Sequence, residues 1–388
     1  MTPTANTPQG QQWERLAEVL CANYYSPDVD AARALFSSVA AHKLTTHVPI
    51  WPLLIAPPGS MKTDLLESLR GLPRVYFVDE LTPRTFLSGK IDEPGRRRTK
   101  PASLLHRIGG DGILVAADFS TYTADPKTLQ LILAQLRRIY DGNYCREFGT
   151  EENPSERSWE GRLTFLAGGV PDLDRHHQLF QKLGERFVRI RWPRPAGVEA
   201  GLQAMQHNAQ LATILRAAAH DLLRPILSGE VSAPTFAREM EIRIANLSEL
   251  AALARSYVDR DRYTREILDV PITEGNTRLP QQLCQLARGS ALLGDRRQVN
   301  EDDYKLVCRV ALDSLPPARR AVLAALVGGQ NAYTLGIPPS TAQRALEDLQ
   351  CVGLVAESGA NSTTASLTEK SHHLVEQSRA YFPAITNG

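Results

Sequence analysis

A loop rich in proline and glycine joins a short apolar run to a predicted helix. Residues 56–63 are Ala-Pro-Pro-Gly-Ser-Met-Lys-Thr, and they follow the apolar run 49–55 directly. Between a strand and a helix, such a loop can offer backbone N–H groups to phosphates, while a lysine reaches the terminal phosphates and a hydroxyl coordinates Mg²⁺. The loop therefore predicts a nucleotide site formed by Pro58, Gly59, Ser60, Met61, Lys62 and Thr63.

The loop departs from the usual phosphate-binding pattern, G-x-x-x-x-G-K-[ST], at both of its glycines. Ala56 and Met61 occupy those two positions. The Met61 side chain could crowd the phosphates and weaken their binding. A Pro-Gly turn that merely opens a helix is the alternative interpretation.

A single carboxylate follows a second apolar run, Ile-Leu-Val-Ala-Ala-Asp at residues 113–118. In phosphoryl-transfer sites one acid supports Mg²⁺, and a second group positions the attacking water. One alignment puts Ala117 and Asp118 at these two positions, and a one-residue shift puts Asp118 and Phe119 there. In both alignments Asp118 is the only carboxylate at the two positions. This predicts that nucleotide hydrolysis is slow or is aided by another group. An aspartate that only begins a turn is the alternative.

Short apolar runs alternate with helical patterns around these motifs. Strands are predicted at 49–55, 74–78, 112–117, 162–167 and 187–192, with helices at 62–70 and 129–140. This alternation predicts an α/β fold with a mostly parallel sheet covered on both faces. The sequence predicts an N-terminal helical segment (1–45, frayed before residue 12), the α/β core (46–195), a helical lid (196–315), a C-terminal domain (316–370) and a tail (371–388).

The C-terminal domain has the pattern of a winged helix. A helix at 318–327, a turn, a helix at 340–350 and two short strands at 354–358 and 365–368 follow in that order. Ser340 and Gln343 have the spacing of a capping box. The second helix would present Gln343 and Arg344 to DNA. A winged helix that docks a protein partner is the alternative.

Together with these motifs, further segments resemble AAA+ ATPases of the branch that holds MCM-type helicases and MoxR-type ATPases, and ATPases of phages and integrative elements. A hairpin is expected between helix 129–140 and strand 162–167, where helicases of this branch carry hairpins that line the ring pore and touch DNA. The resemblance implies a P-loop ATPase that uses ATP and Mg²⁺ and assembles with further copies of itself as a hexameric ring.

The same resemblance implies roles for particular side chains. Arg186, in Leu-Gly-Glu-Arg-Phe at 183–187, is expected to reach the γ-phosphate of a neighbouring subunit. Arg278, in Asn-Thr-Arg-Leu at 276–279, corresponds to the sensor 2 arginine of the lid. The sensor 1 position lacks its usual asparagine, and Asp172 is a possible substitute. Ordinary structural ion pairs are the alternative for both arginines.

Composition narrows the choice of partner and compartment. The net charge is +1, so a nucleic-acid surface must be a local patch. The dense basic run predicts such a patch, with a solvated loop as the alternative; it comprises Arg96, Arg97, Arg98 and Lys100. The five cysteines form no C-x-x-C pair, which disfavours a structural zinc site. The absence of a signal-peptide pattern and of a long apolar run predicts a cytoplasmic protein without a membrane partner.

These observations favour an ATP- and Mg²⁺-dependent ring ATPase that acts on DNA as a motor or loader. The degenerate loop and the lone acid leave a second hypothesis, a weakly hydrolysing or non-hydrolysing assembly switch. A protein-remodelling chaperone of the MoxR type is the third.

Overall fold

A parallel five-stranded sheet forms the centre of the molecule. The computed structural model describes residues 7–45, 48–88, 103–120, 125–150, 153–182, 184–206, 209–261, 263–356 and 365–382. The sheet contains β1 (Trp51–Ile55), β2 (Val75–Phe77), β3 (Asp111–Ala116), β6 (Arg162–Gly169) and β7 (Phe187–Arg191), in the spatial order β2-β3-β6-β1-β7. The predicted α/β class is confirmed.

Helices cover both faces of this sheet and extend beyond it. They are α1 (Pro8–Asn23), α2 (Val29–Ala40), α3 (Lys62–Glu67), α4 (Leu104–Ile108), α5 (Pro126–Tyr140), α6 (His177–Lys182), α7 (Val198–Gln206), α8 (Ala209–Ser228), α9 (Arg238–Arg255), α10 (Arg278–Leu293), α11 (Glu301–Asp313), α12 (Pro317–Val327), α13 (Pro339–Cys351) and α14 (Glu369–Ser378). Short 3₁₀ segments lie at Ala41–Lys43, Pro171–His176 and Ala332–Thr334.

The connections after neighbouring strands leave toward opposite faces of the sheet. Leu65 and Leu66 of α3, which follows β1, belong to the apolar core shared with α2 and the lid helices. Leu105 of α4 and Ile132 of α5 belong to the core on the other face, as does Phe180 of α6, which follows β6. Because β1 and β6 are adjacent, their outgoing loops diverge and leave a crevice at the carboxyl ends of the strands, where open α/β sheets bind ligands.

The first helix begins earlier than the sequence predicts. Residues 8–11 are helical, so the expectation of fraying up to residue 11 is wrong for them. The Thr7 side chain accepts a hydrogen bond from the Gly10 N–H at 3.2 Å, and Pro8 at the first helical position has a backbone angle suited to a helix start. The sequence offers Asp28 or Asp30 as the cap of α2, and the structure shows Asp28, whose carboxylate accepts from the Ala31 N–H at 3.0 Å.

The predicted hairpin before β6 is confirmed as β4 (Asn143–Thr150) and β5 (Asn153–Glu160). Tyr144 and Trp159 face each other across the pair and are buried. Glu147 and Glu156, which are also directly opposite, are exposed. The outward side of the hairpin is therefore acidic.

The free edge of β7 is covered by the end of α11. The backbone N–H of Arg189 donates to the Ser314 hydroxyl at 2.9 Å, and that of Arg191 donates to the Asp313 carboxylate at 2.9 Å. An edge strand leaves such groups unpaired unless another element supplies acceptors. These two bonds tie the predicted lid firmly to the sheet.

The C-terminal region has the predicted order of helices, with one correction at a helix start. Helix α13 begins at Pro339 after Pro338, and no side chain caps it, so the Ser340 capping box is not formed. Proline fits the first helical position without losing a needed N–H, and this moves the start ahead of Ser340. Of the predicted two-stranded wing, one antiparallel bridge, Val355 with Leu367, lies in the described part of the chain.

The predicted C-terminal tail is partly a helix. Thr368 caps α14 by accepting from the Ser371 N–H at 3.2 Å, so the tail interpretation is wrong for residues 371–378. The Arg243 side chain of α9 donates to the Ser378 carbonyl at 3.2 Å and anchors the helix end. In the described part of the chain, no helix is long and apolar enough to span a membrane.

Candidate functional site

A cleft of about 980 Å³ opens at the carboxyl edge of the sheet. The loop 57–64 forms its floor, and Asp118, the segment 23–26, the segment 192–197 and helix α7 complete its walls. The crevice between the diverging connections of β1 and β6 is thus built from segments that are far apart in sequence. All six residues of the predicted phosphate loop, Pro58 to Thr63, line this cleft.

Two residues of the loop have left-handed backbone conformations. Gly59 has φ of 74°, and Met61, which precedes α3, has φ of 49°. Glycine adopts this region freely, whereas other residues pay a steric penalty. Met61 therefore keeps the backbone shape that suits the glycine of the usual pattern. Its half-buried side chain packs partly against the apolar core, which limits the predicted crowding of the cleft.

The structure brings Lys62 and Asp118 together in this cleft. Burial lowers the pKa of Lys62 from its ordinary value, and the nearby Asp118 carboxylate opposes part of that shift. Thr63, the next residue, is exposed and also lines the cleft. A cation, a hydroxyl and a carboxylate thus converge where the sequence predicts phosphate and Mg²⁺ to bind.

Asp118 and its neighbour Phe119 have opposite environments. Asp118 is exposed, and its carboxylate accepts from the Ser120 N–H at 3.0 Å within a turn. Phe119 is fully buried, and its ring centroid lies 6.0 Å from that of Phe165. Phe119 belongs to the core, so Asp118 is the residue of this stretch that can act in the cleft.

Sequence analysis missed a second carboxylate in the cleft. The Tyr24 hydroxyl donates to the Asp64 carboxylate at 3.2 Å. Burial and this carboxylate raise the pKa of Tyr24. Asp64 directly follows Thr63, which was a usable signal, but nothing in the sequence predicted that Tyr24, forty positions away in the chain, would reach it. Arg194 and Trp192, which also line the cleft, were missed as well.

Arg186 and Arg278 lie side by side at the opposite, amino edge of the sheet. Arg186 donates to the Gly184 carbonyl at 2.6 Å and to Asp141 at 3.3 Å. Arg278 donates to the Glu185 carbonyl at 3.0 Å. Both guanidinium groups lie over the Tyr140 ring, at 5.7 Å and 6.0 Å from its centroid. Burial lowers the pKa of Arg186, and the charge of Arg278 adds to that shift.

The two arginines are therefore separated from Lys62 within one chain. Arg186 lies immediately before β7, whereas Lys62 follows β1, and these strands run parallel. Arg278 lines a different cleft, of about 550 Å³, together with residues 269–275. Asp172, the suggested sensor 1 substitute, pairs with Arg175 at 2.8 Å and does not line the 980 Å³ cleft. Arg96, Arg97, Arg98 and Lys100 lie outside the described residues.

The acidic residues of helix α13 pair with Arg260 of the lid and with Arg319 of α12. Asp348 accepts from Arg260 at 2.7 Å and from Arg319 at 2.8 Å, and Glu347 accepts from Arg260 at 3.0 Å. Gln343 and Arg344 are exposed.

Arg260 offsets part of the negative charge on the exposed side of α13, because it pairs with Glu347, which lies beside Gln343. On that side Gln343 bonds to Tyr333 and donates to Glu347 at 3.0 Å. The predicted DNA-facing residues are accessible.

No protein-family model matches this chain, and comparison with curated proteins finds no match either. A function must therefore be inferred from the cleft at the carboxyl edge and from the exposed side of α13.

Proposed function

We propose that this protein is a P-loop ATPase of the AAA+ type that binds ATP with Mg²⁺, assembles as a ring and acts on DNA. One observation carries the proposal: a single cleft gathers Lys62, Thr63 and Asp118 around a loop whose backbone has the left-handed turns of a phosphate cradle. Its volume of about 980 Å³ suits a nucleotide.

The chemistry of the cleft fits these ligands. Thr63 and Asp118 supply the oxygen donors that Mg²⁺ prefers, and Lys62 supplies positive charge for phosphates. Mg²⁺, when bound, would offset phosphate charge. The hydrogen bond from the Ser120 N–H would orient the Asp118 carboxylate toward Mg²⁺, and the hydrogen bond from Tyr24 would orient that of Asp64.

The arrangement of the remaining elements favours the AAA+ class and a ring. A hairpin precedes β6, and a helical lid and a helix-turn-helix follow the sheet. Arg186 and Arg278 lie at the sheet edge opposite to Lys62, so they can serve a nucleotide only if it is bound by another copy. A ring of six subunits would place these arginines against the cleft of each neighbour.

DNA contact is assigned to α13 rather than to the outward side of the hairpin. Arg260 and Arg319 neutralise the α13 acids, so Gln343 and Arg344 can approach phosphates or base edges. The hairpin presents Glu147 and Glu156 outward, which repel a phosphate backbone. The basic run at 96–100 stays a prediction.

Steady-state ATP hydrolysis with and without single- and double-stranded DNA tests the proposal. We expect slow turnover that DNA stimulates and that Lys62→Ala abolishes. The Gln343→Ala/Arg344→Ala double variant should keep basal turnover and lose the stimulation. The matched control is Arg238→Ala, because the Arg238 side chain on α9 is 83% exposed. Absence of saturable nucleotide binding in the presence of Mg²⁺ would refute the proposal.

A non-hydrolysing assembly switch is the second candidate. It is favoured by the burial of Phe119, because this residue, and not a second carboxylate, follows Asp118 after the end of β3. Tight nucleotide binding without turnover, together with nucleotide-dependent assembly, would support the switch. Turnover that ignores DNA would instead support a protein-remodelling chaperone.

A further inference from the structure

The segment that leaves β7 carries a cation into the cleft on a constrained backbone. The Trp192 N–H donates to the Ile55 carbonyl at 2.9 Å, which holds this segment beside the last residue of β1. Arg194 follows between Pro193 and Pro195. Proline fixes its own φ and restricts the residue before it, so Arg194 is presented on a stiff stretch of chain.

Arg194 differs from the other charged residues of the cleft. Lys62 interacts with Asp118, and Asp64 accepts a hydrogen bond from Tyr24. Among the described residues, no carboxylate forms an ion pair with Arg194, and its side chain is exposed on the cleft wall. Of the charged residues that the structure describes in the cleft wall, two are cations and two are anions, and Arg194 is the cation that pairs with none of these acids.

We propose that Arg194 binds the polyphosphate of the nucleotide as the second cation of this cleft, from the same chain as Lys62. This inference rests on the nucleotide site proposed above. A magnesium–triphosphate complex remains negatively charged, and a guanidinium can bind phosphate oxygens with two parallel hydrogen bonds. Arg278, the arginine assigned by resemblance to the lid side of the site, lies in another cleft, so within one chain Arg194 takes that place.

Binding of a non-hydrolysable ATP analogue and of AMP, each with Mg²⁺, tests this role by calorimetry. We expect Arg194→Ala to weaken binding of the ATP analogue about 10- to 100-fold, the usual effect of losing a hydrogen bond between charged groups. AMP binding should be unchanged. Arg194→Lys should recover only part of the affinity, because lysine retains the positive charge but cannot donate two parallel hydrogen bonds. Arg238→Ala serves as the exposed control.

The outcomes separate this inference from the proposed function. If the unaltered protein binds the analogue and Arg194→Ala binds it equally well, the role of Arg194 is refuted and the nucleotide site stands. Equal weakening of AMP and analogue binding would also refute it, because Arg194 would then shape the cleft rather than hold the terminal phosphates. If the unaltered protein binds neither ligand, the nucleotide site itself fails.

Discussion

The two edges of the central sheet treat their charged residues differently. At the carboxyl edge, Lys62 and Arg194 face an open cleft. At the amino edge, Glu185 accepts at 3.2 Å from Arg189, which is 1% exposed in the middle of β7, and Arg186 is bonded to Asp141 within the chain. The charged side chains of the carboxyl edge are open to a ligand, whereas those of the amino edge are largely paired within the fold.

The cause of this difference is topological. Diverging connections keep the carboxyl edge open, whereas the hairpin, α6 and the start of α10 close around the amino edge. Buried charges require partners inside the fold, while charges in an open cleft are solvated and can remain unpaired until a ligand binds. Substitutions at the carboxyl edge should therefore change ligand binding, and those in the buried amino-edge network should change stability. Arg186 and Arg278 are the test of this rule, because the ring hypothesis assigns them a second role.

The largest expected effect is a recovery of activity on mixing two inactive variants. Lys62→Ala lacks the lysine proposed to bind phosphate in its own cleft, and Arg186→Ala lacks the arginine proposed to serve a neighbour. Mixed rings contain junctions with an intact Lys62 on one side and an intact Arg186 on the other, so ATP hydrolysis should return. The Lys62→Ala protein mixed with the Lys62→Ala/Arg186→Ala double variant should stay inactive. Failure of the first mixture to regain turnover would argue against a site shared between subunits.

A large stability loss is expected from removing the partner of a buried arginine near the amino edge. Arg255 is fully buried and donates to Glu274 at 2.6 and 2.7 Å. Glu274→Ala should lower the free energy of unfolding by about 3–5 kcal/mol, because it leaves an unpaired buried charge. Thr63→Ala at the carboxyl edge should change it by less than about 0.5 kcal/mol. Urea unfolding measures both, and equal losses would contradict the contrast between the edges.

A pH-dependent stability term is expected from His42, which is 1% exposed at the amino edge. Its imidazole bonds to Thr164 at 3.0 Å and lies 3.2 Å from Asp111. Burial lowers the pKa of His42, opposed in part by Asp111. Below about pH 6.5 His42 is protonated in the unfolded chain but stays neutral in the folded chain. The free energy of unfolding therefore falls as the pH decreases, by up to about 1.4 kcal/mol per pH unit.

Urea unfolding between about pH 7.5 and about pH 5.5 should show a smaller slope for His42→Gln than for the unaltered protein. His373→Gln, at an exposed position, should keep the full slope. His177, whose pKa burial also lowers, contributes a second term that both variants retain. Identical slopes for all three proteins would mean that His42 has the same pKa in the folded and unfolded states, which would contradict the expected shift.

The smallest expected effect concerns the backbone of the phosphate loop. Met61→Gly and Met61→Ala both remove the side chain, but glycine alone relieves the left-handed conformation at φ of 49°. The glycine variant should be more stable than the alanine variant by about 1 kcal/mol, measured by thermal or urea unfolding. It should also bind nucleotide at least as tightly as the unaltered protein. Equal stability of the two variants would show that the loop relaxes at this position.

Local patterns were sufficient to predict most elements of this protein. The apolar runs around Leu54, Leu114 and Phe165 predicted buried strands because both faces of a parallel sheet are covered. Loop composition predicted the position of Lys62, and the acid after β3 predicted Asp118. The cap of α2 was narrowed to Asp28 or Asp30 because capping depends on neighbours within one turn, and the structure shows Asp28. The prediction that Ser340 caps α13 was wrong because Pro338 and Pro339 begin the helix before it.

Contacts between distant segments were decided by the tertiary structure alone. That Asp118 meets Lys62 depends on strand order, and that Arg186 and Arg278 share the Tyr140 ring depends on how α10 packs against the sheet. The pairing of Tyr24 with Asp64 and the entry of Arg194 into the cleft have no signature in the sequence. Sequence patterns report which elements form, because those choices are local. Packing decides which charges remain free for a ligand, because that depends on partners far away in the chain.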